Sequence, residues 1–412
     1  MKQFITFITK LTEAIGIRLP SGWQTLGDVE VAQRFLGGLN QYFFQTHDDI
    51  GTTDFDGEEL QYFSEFHKFW EANHREIINA RVNLQQAQRA AECLAKAVES
   101  YGWGIFNVTH ETRGLRPQAV AQVRFLTANQ DFREPPVNQF EKYLSDPGRF
   151  DSRAIDDDPA DFLRFMGTTR LSQTDKRLDF ARNAARFLLV NKISAFEIAE
   201  HFGNNAVEIR NALVDTPNMG YGLKKTNMFI RDMVELGVWP GLSRYDEIDV
   251  ASDINTMKVA LRARIIQTDI PLLSSFLDIF CWQYSYIDEM SAMAWRTVWE
   301  QWHGANPRTA PRSPCVMDFL LYRIGREYCD DIVVRYECER GHTFHYFGAR
   351  VRNCRVCKER VRARPMSRVL PCQIDSRELP REDGDLLLPE EKLLRIFDGV
   401  CIFEKVCQPK TD

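Results

Sequence analysis

From the N-terminus to about Trp302, apolar residues recur at helical spacing. Over 75–101 a broad stripe runs through Ile77, Ile78, Ala80, Val82, Leu84, Ala87, Ala91, Leu94, Ala95 and Val98. That is the period of an amphipathic helix packed on a core. Residues 1–17 carry Phe4, Ile5, Phe7, Ile8 and Leu11, interrupted by Lys2, Lys10 and Glu13. This reads as another amphipathic helix rather than a signal peptide, which needs an uninterrupted apolar centre and a small-residue cleavage site. Residues 58–70 are rich in aromatics. The pattern predicts further helices over 119–128, 175–190, 195–202, 227–236, 253–266, 271–286 and 290–302. Gly102, Gly104, Gly114 and Pro117 break it at a subdomain junction, and the acidic, proline-containing 151–161 reads as a loop. Gly304, Pro307, Pro311 and Pro314 mark a linker over 303–314. Beyond it the character changes: 331–338 and 343–351 are short and rich in Val, Tyr and Phe, as strands are. The tail from Gln373 is charged, with one helical candidate at 390–397. The expected fold is mainly α with a small β region near the C-terminus, divided as 1–115, 116–305, 315–375 and 376–412.

The 412 residues suffice for two or three domains, and 44% hydrophobic with 27% charged content is that of a globular protein. No apolar run approaches the length of a membrane span. A net charge of −6 argues against a uniformly basic nucleic-acid coat, but leaves room for a basic groove on an acidic body. The ten cysteines, with no signal peptide expected, point to a reducing cytoplasm.

Thr216–Arg262 carries the candidate chemistry. A proline–glycine turn, Thr216-Pro217-Asn218-Met219-Gly220, is followed by Tyr221-Gly222-Leu223 and then Lys224-Lys225-Thr226 at a helix start. Asp253 follows 28 residues after Lys225, opening the next predicted helix. This order resembles the helix-hairpin-helix DNA glycosylases, the superfamily that includes endonuclease III and the 8-oxoguanine glycosylases. Their usual pattern is Leu-Pro-Gly-Val-Gly-(Arg/Thr)-Lys, a helix, then Val-Asp-(Thr/Val)-His. Here Asn218 replaces the first glycine, Tyr221-Gly222-Leu223 reads as an insertion, and the interval to Asp253 is long. Those departures, with Lys225-Thr226-Asn227-Met228-Phe229 as a Lys-Thr-x-x-Phe helix start, bring the chain nearer to the archaeal 8-oxoguanine branch. Phe125-Leu126-Thr127-Ala128-Asn129-Gln130 resembles that family's Leu-Ser-Ala-Gln segment. Asp278 and Trp282, four apart on a predicted helix, match a late helix that faces the base.

The resemblance covers roughly 118–300. It implies a helical glycosylase core over 116–305, with Lys225 and Asp253 catalytic and Asp278, Trp282, Asn129 and Gln130 at the base or in the gap it leaves. Gly220, Gly222 and Lys224 would contact DNA phosphates. A base stacked in duplex must be flipped out to be reached, and N-glycosidic cleavage builds oxocarbenium character that a carboxylate such as Asp253 stabilises. A lysine nucleophile would pass through a Schiff base and permit strand nicking; it needs a lowered pKa, for which Lys224 is a neighbouring charge. Two choices stay open: Lys224 in place of Lys225, and Asp249 in place of Asp253, either aspartate also serving as a helix N-cap.

Cys338-x3-His342 and Cys354-x2-Cys357, eleven residues apart, have the spacing of a structural zinc ribbon, with Cys372 the alternative fourth ligand. Between 350 and 368 lie Arg350, Arg352, Arg355, Lys358, Arg360, Arg362, Arg364 and Arg368 against Glu359 alone. Such an excess suits phosphate contact, with Arg352, Arg355 and Arg360 as candidates. The expected partner is double-stranded DNA with a modified base. The base is an oxidised purine in repair or a hypermodified cytosine of phage DNA in antiviral defence, and the long additions at each end would enlarge a pocket for the latter. The alternative is a non-catalytic DNA-binding protein that docks through the hairpin and the ribbon.

Overall fold

The computed structural model describes residues 53–55, 58–60, 74–76, 78–106, 111–130, 136–167, 174–268, 281–327, 333–347, 354, 357, 363–369 and 401–407. The helices expected over 1–17 and 390–397, the aromatic stretch beyond Leu60 and residues 271–280 lie outside them. In chain order the elements are β1 (Thr53–Phe55), β2 (Glu58–Leu60), β3 (Arg81–Val82), α1 (Leu84–Tyr101), α2 (Pro117–Ala128), α3 (Pro136–Ser145), α4 (Ser152–Asp157), α5 (Pro159–Phe165), α6 (Thr174–Asn191), α7 (Ala206–Asp215), α8 (Leu223–Glu235), α9 (Ile254–Arg262), β4 (Ile266–Gln267), α10 (Cys281–Ala305), α11 (Asp318–Glu327), β5 (Val333–Cys338), β6 (Thr343–Phe347) and β7 (Ala363–Val369). The molecule is mainly helical, as expected. No helix among the described residues is long and apolar enough to cross a membrane.

Two compact units interleave in sequence. One joins Met1–Ser100, Asp253–Asn306 and Leu321–Asp412; the other joins Tyr101–Ser252 and Pro307–Leu320. The 116–305 stretch contributes to both.

In the second unit α2 is the central helix. Pro117 opens it, where a missing N–H costs nothing. Val120, Ala121 and every residue from Val123 to Ala128 are buried, so α2 is enclosed rather than amphipathic. Phe125 is the aromatic hub, with ring centroids 5.5 Å from Tyr221, 5.7 Å from Phe229 and 5.9 Å from Phe187. The expected loop over 151–161 is instead the start of two short helices. Asp151 caps α4 by accepting from the Arg153 and Ala154 N–H groups, and Asp158 caps α5 ahead of Pro159. Acidic residues and a proline, read as loop signals, are here helix-start signals. The helix expected over 195–202 is a 3-10 turn, Ala195–Glu197, followed by Ile198–His201. α7, absent from the sequence reading, begins at Asn205, whose side chain accepts from the Val207 and Glu208 N–H groups.

In the first unit the stripe over 75–101 divides. Asn79 takes a left-handed backbone at φ 45, and Arg81–Val82 pairs antiparallel with Ile266–Gln267, so α1 starts only at Leu84. Asparagine tolerates that conformation where a β-branched residue would not. The two helices expected over 271–286 and 290–302 are, from Cys281 onward, one helix to Ala305. α10 packs on α9 through fully buried Trp295, whose indole N–H donates to the Thr256 carbonyl at 3.2 Å. α11 was also missed; its Gly325 lies so close to Asn255 that an added Cβ would sit 2.4 Å from that residue's carbonyl oxygen. β5, with its two neighbours, makes a three-stranded antiparallel sheet in the order β6-β5-β7, and β7 came from a stretch read only as basic.

Candidate functional site

The chain reverses between α7 and α8 in a hairpin of helices. Asn218 (φ 52) and Gly220 (φ 77) supply the left-handed backbone the turn needs. A Cβ on Gly220 would stand 2.8 Å from the Phe180 ring and 3.0 Å from the Asn129 carbonyl oxygen, so glycine is required here on steric grounds as well. Tyr221, read as part of an insertion, is the anchor of the turn. It is buried, its ring stacks on Phe125, and its hydroxyl donates to the Phe125 carbonyl at 2.6 Å. Burial raises its phenol well above the ordinary value, so it stays a neutral donor.

The end of α2 meets this turn. The Asn129 side-chain amide donates to the Met219 carbonyl at 2.9 Å and to that of Phe180 at 3.0 Å. Gln130 donates to the Arg177 carbonyl at 3.0 Å, and Asn183 to that of Asn218 at 2.9 Å. Asn129 and Gln130 are both buried, so in this structure their amides tie α2 to α6 and the hairpin. Lys225 reaches back to the same place: its Nζ donates to the Asn129 carbonyl at 2.6 Å and lies 5.9 Å from the Phe180 ring centre. Lys224 and Leu223 are exposed, Leu223 by 61%. Gly222 stands at the N-cap of α8, and no side chain caps the helix start.

Behind the hairpin runs a buried ionic chain that sequence reasoning missed. Arg124 of α2 pairs with Asp232 of α8 at 2.5 Å, Asp232 also takes Arg231 at 2.7 Å, and Arg231 pairs with Asp318. Burial opposes the charge on Arg231, but the two aspartates outweigh it and hold its guanidinium above the ordinary value. Nearby Cys315 is buried and its thiol is pushed up to about 12, so it is inert. The available signal was charge out of place: Arg124 inside an apolar helix and Arg231-Asp232 in the middle of α8.

Asp253 belongs to the other unit, at the start of α9. Its carboxylate accepts from the Asn255 and Thr256 N–H groups, both at 2.9 Å, and Thr256 Oγ1 returns the bond from the Asp253 N–H at 2.7 Å. This reciprocal cap explains why the helix begins there. Asp249 stands in irregular chain ahead of it and caps no helix. Trp282 falls in the first turn of α10, with its side chain outside the described residues. Asp278, Arg352, Arg355, Arg360 and Cys372 also lie outside them. A groove of about 760 Å³ lined by Tyr143, Phe150, Arg153, Leu188, Leu189 and Lys192 includes none of the candidate residues.

The structure does bring Cys338, His342, Cys354 and Cys357 together. Their ligand atoms all lie within 4.8 Å of one another, with Nδ1 of His342 3.5 Å from Cys338 Sγ and 4.0 Å from Cys354 Sγ. A zinc ion with Zn–S of about 2.3 Å and Zn–N of about 2.0 Å needs sulfur–nitrogen edges of roughly 3.5 Å, so the set fits. Cys338 ends β5, His342 precedes β6, and Cys354 and Cys357 come between β6 and β7. The turn is tight: the Cys338 N–H donates to the His342 carbonyl at 2.9 Å and the Gly341 N–H to that of Cys338 at 2.8 Å. Burial opposes ionisation of Cys338, but N–H groups of Arg340 and His342 and the Cys354 and His342 side chains lower its thiol to about 7. The Cys357 N–H donates to Cys354 Sγ at 3.4 Å. Sulfurs that accept backbone N–H groups are prepared to bind a cation as thiolates.

No family model matches the chain, and no curated protein matches it.

Proposed function

We propose that this chain is a DNA glycosylase that binds duplex DNA through the α7–α8 hairpin and cleaves the N-glycosidic bond of an extruded, modified base. The observation that carries the reading is the hairpin itself. Its turn is fixed by left-handed Asn218 and Gly220, and it presents an uncapped helix start with Leu223 and Lys224 in solvent. The positive end of a helix suits a phosphate, and an exposed leucine beside a lysine suits a DNA groove. Asp253 would stabilise the developing sugar cation, and an amine of the Lys224–Lys225 pair would take the anomeric carbon as the base leaves; water then hydrolyses the Schiff base to free the amine and an abasic site. Oxidised purines and hypermodified cytosines are the two substrate classes. The four-donor set is a structural zinc ribbon in this reading, since four protein ligands leave no open position for substrate. The zinc would hold β5, β6 and β7 together, with the basic stretch around Arg352, Arg355 and Arg360 lying against DNA.

A second reading has its own observation. Lys225 and Asp253 each make structural bonds, which is what a DNA-docking protein without catalysis would show. Asp253→Asn separates the two, because asparagine caps a helix nearly as well as aspartate but carries no charge. For a glycosylase, base release from modified DNA is lost in this variant while the melting temperature stays put. For a docking protein, neither the wild type nor the variant releases base, and both bind duplex alike.

A further inference from the structure

The two adjacent lysines at the start of α8 occupy different environments, and the difference assigns their roles. Successive residues of an α-helix point about 100° apart, so one lysine turned inward sends its neighbour outward. Lys225 is the inward one, its Nζ on the Asn129 carbonyl at 2.6 Å and over the Phe180 ring. That carbonyl belongs to the residue capping the C-terminal end of α2, where unsatisfied carbonyls and the helix dipole favour a cation. The same Asn129 holds Met219 and Phe180 through its side chain, and the same Phe180 and Asn129 close over Gly220. Lys225 is therefore part of a clamp that fixes the hairpin on α2 and α6. Its Nζ is held as a donor on a main-chain carbonyl. Lys224 is exposed beside exposed Leu223.

We propose that Lys225 is a positioning residue, the cation that locks the hairpin in place, and that Lys224 is the amine that meets the substrate sugar. The second half rests on the glycosylase reading; the first does not. The step assigned to Lys224 is addition of its neutral Nζ to the C1′ aldehyde of an abasic sugar. The carbonyl oxygen leaves as water with the two amine protons, and the carbon–nitrogen double bond remains. Borohydride then delivers a hydride to that carbon, and solvent a proton to nitrogen.

Two measurements on the full-length, zinc-loaded chain test this. The first is reductive methylation with formaldehyde and cyanoborohydride, read by peptide mass spectrometry. Lys224 is expected to be modified rapidly and Lys225 about tenfold more slowly, as a half-buried amine that must first leave its carbonyl. Equal labelling overturns the clamp. The second is borohydride trapping on a duplex with one abasic site. The adduct is expected on Lys224, lost in Lys224→Ala, and retained at Lys224 in Lys225→Met, whose melting temperature falls. An adduct on Lys225, or a Lys225→Met variant that melts like wild type, overturns the assignment. Absence of any wild-type adduct overturns the role of Lys224 together with its chemistry, while the labelling contrast still decides the clamp.

Discussion

The hairpin and the cysteine–histidine sheet solve the same problem, a sharp chain reversal held in one geometry, by opposite means. At the hairpin, the second unit supplies an enclosed helix, an aromatic hub at Phe125 and buried amides, so the turn is fixed by packing and hydrogen bonds. The sheet has three strands of five to seven residues, near the lower limit for stability in water. Its loops converge on four metal-binding donors instead. A turn docked on a core tolerates loss of one contact, whereas a small sheet organised around an ion depends on that ion.

Metal removal should therefore have the largest effect, and on the sheet alone. Structural zinc contributes apparent binding free energies on the order of 10–16 kcal/mol in small zinc modules. A chelator, or Cys354→Ser, should sharply lower amide-exchange protection across β5, β6 and β7 and leave that of α2 and α8 intact. Acidification acts in the same direction on the metal-free chain. The Cys338 thiol is lowered from 9.0 to about 7 in the folded sheet. Its contribution is therefore fully present above the unfolded value and is lost as pH falls through about 7. Protection of the sheet should fall in that window, with that of α2 unchanged.

The hairpin unit should yield to a different kind of change. Asp232→Ala takes the carboxylate from buried Arg124 and leaves Arg231 with Asp318 alone, and should cost about 3–5 kcal/mol, measured by denaturant unfolding of the second unit. Gly220→Ala forces a side chain into a left-handed position against Phe180 and Asn129, and should cost about 1–3 kcal/mol, with Lys225 becoming more reactive to amine labels. The smallest change is at Asp253, where alanine should cost about 1 kcal/mol through loss of the cap and asparagine only a few tenths. A larger effect of asparagine on base release than on melting would mark the carboxylate as chemical as well as structural.

How far each region was legible in sequence follows from the range of the forces involved. The four metal donors were readable because ligand spacing is local, and so were the strands β5 and β6. The Asp253 cap and the α8 start were readable for the same reason. What escaped depends on partners distant in sequence. Tyr221 looks like an inserted residue until Phe125, 96 residues away, is placed beneath it. Lys225 looks solvated until the carbonyl of Asn129 is brought to it. The acidic 151–161 stretch was misread for a local reason: aspartate and proline mark both loops and helix starts, and only the packing of α4 and α5 on α6 and its neighbours separates the two.

The proposed base excision is tested by incubating the intact, zinc-loaded chain with duplex DNA carrying oxidised purines or hypermodified cytosines, then measuring free bases by mass spectrometry. Release of one of these bases is expected, catalytic in enzyme and absent in Asp253→Asn. Tight binding to the same duplexes with no base released from any of them would contradict it and leave the hairpin as a docking device.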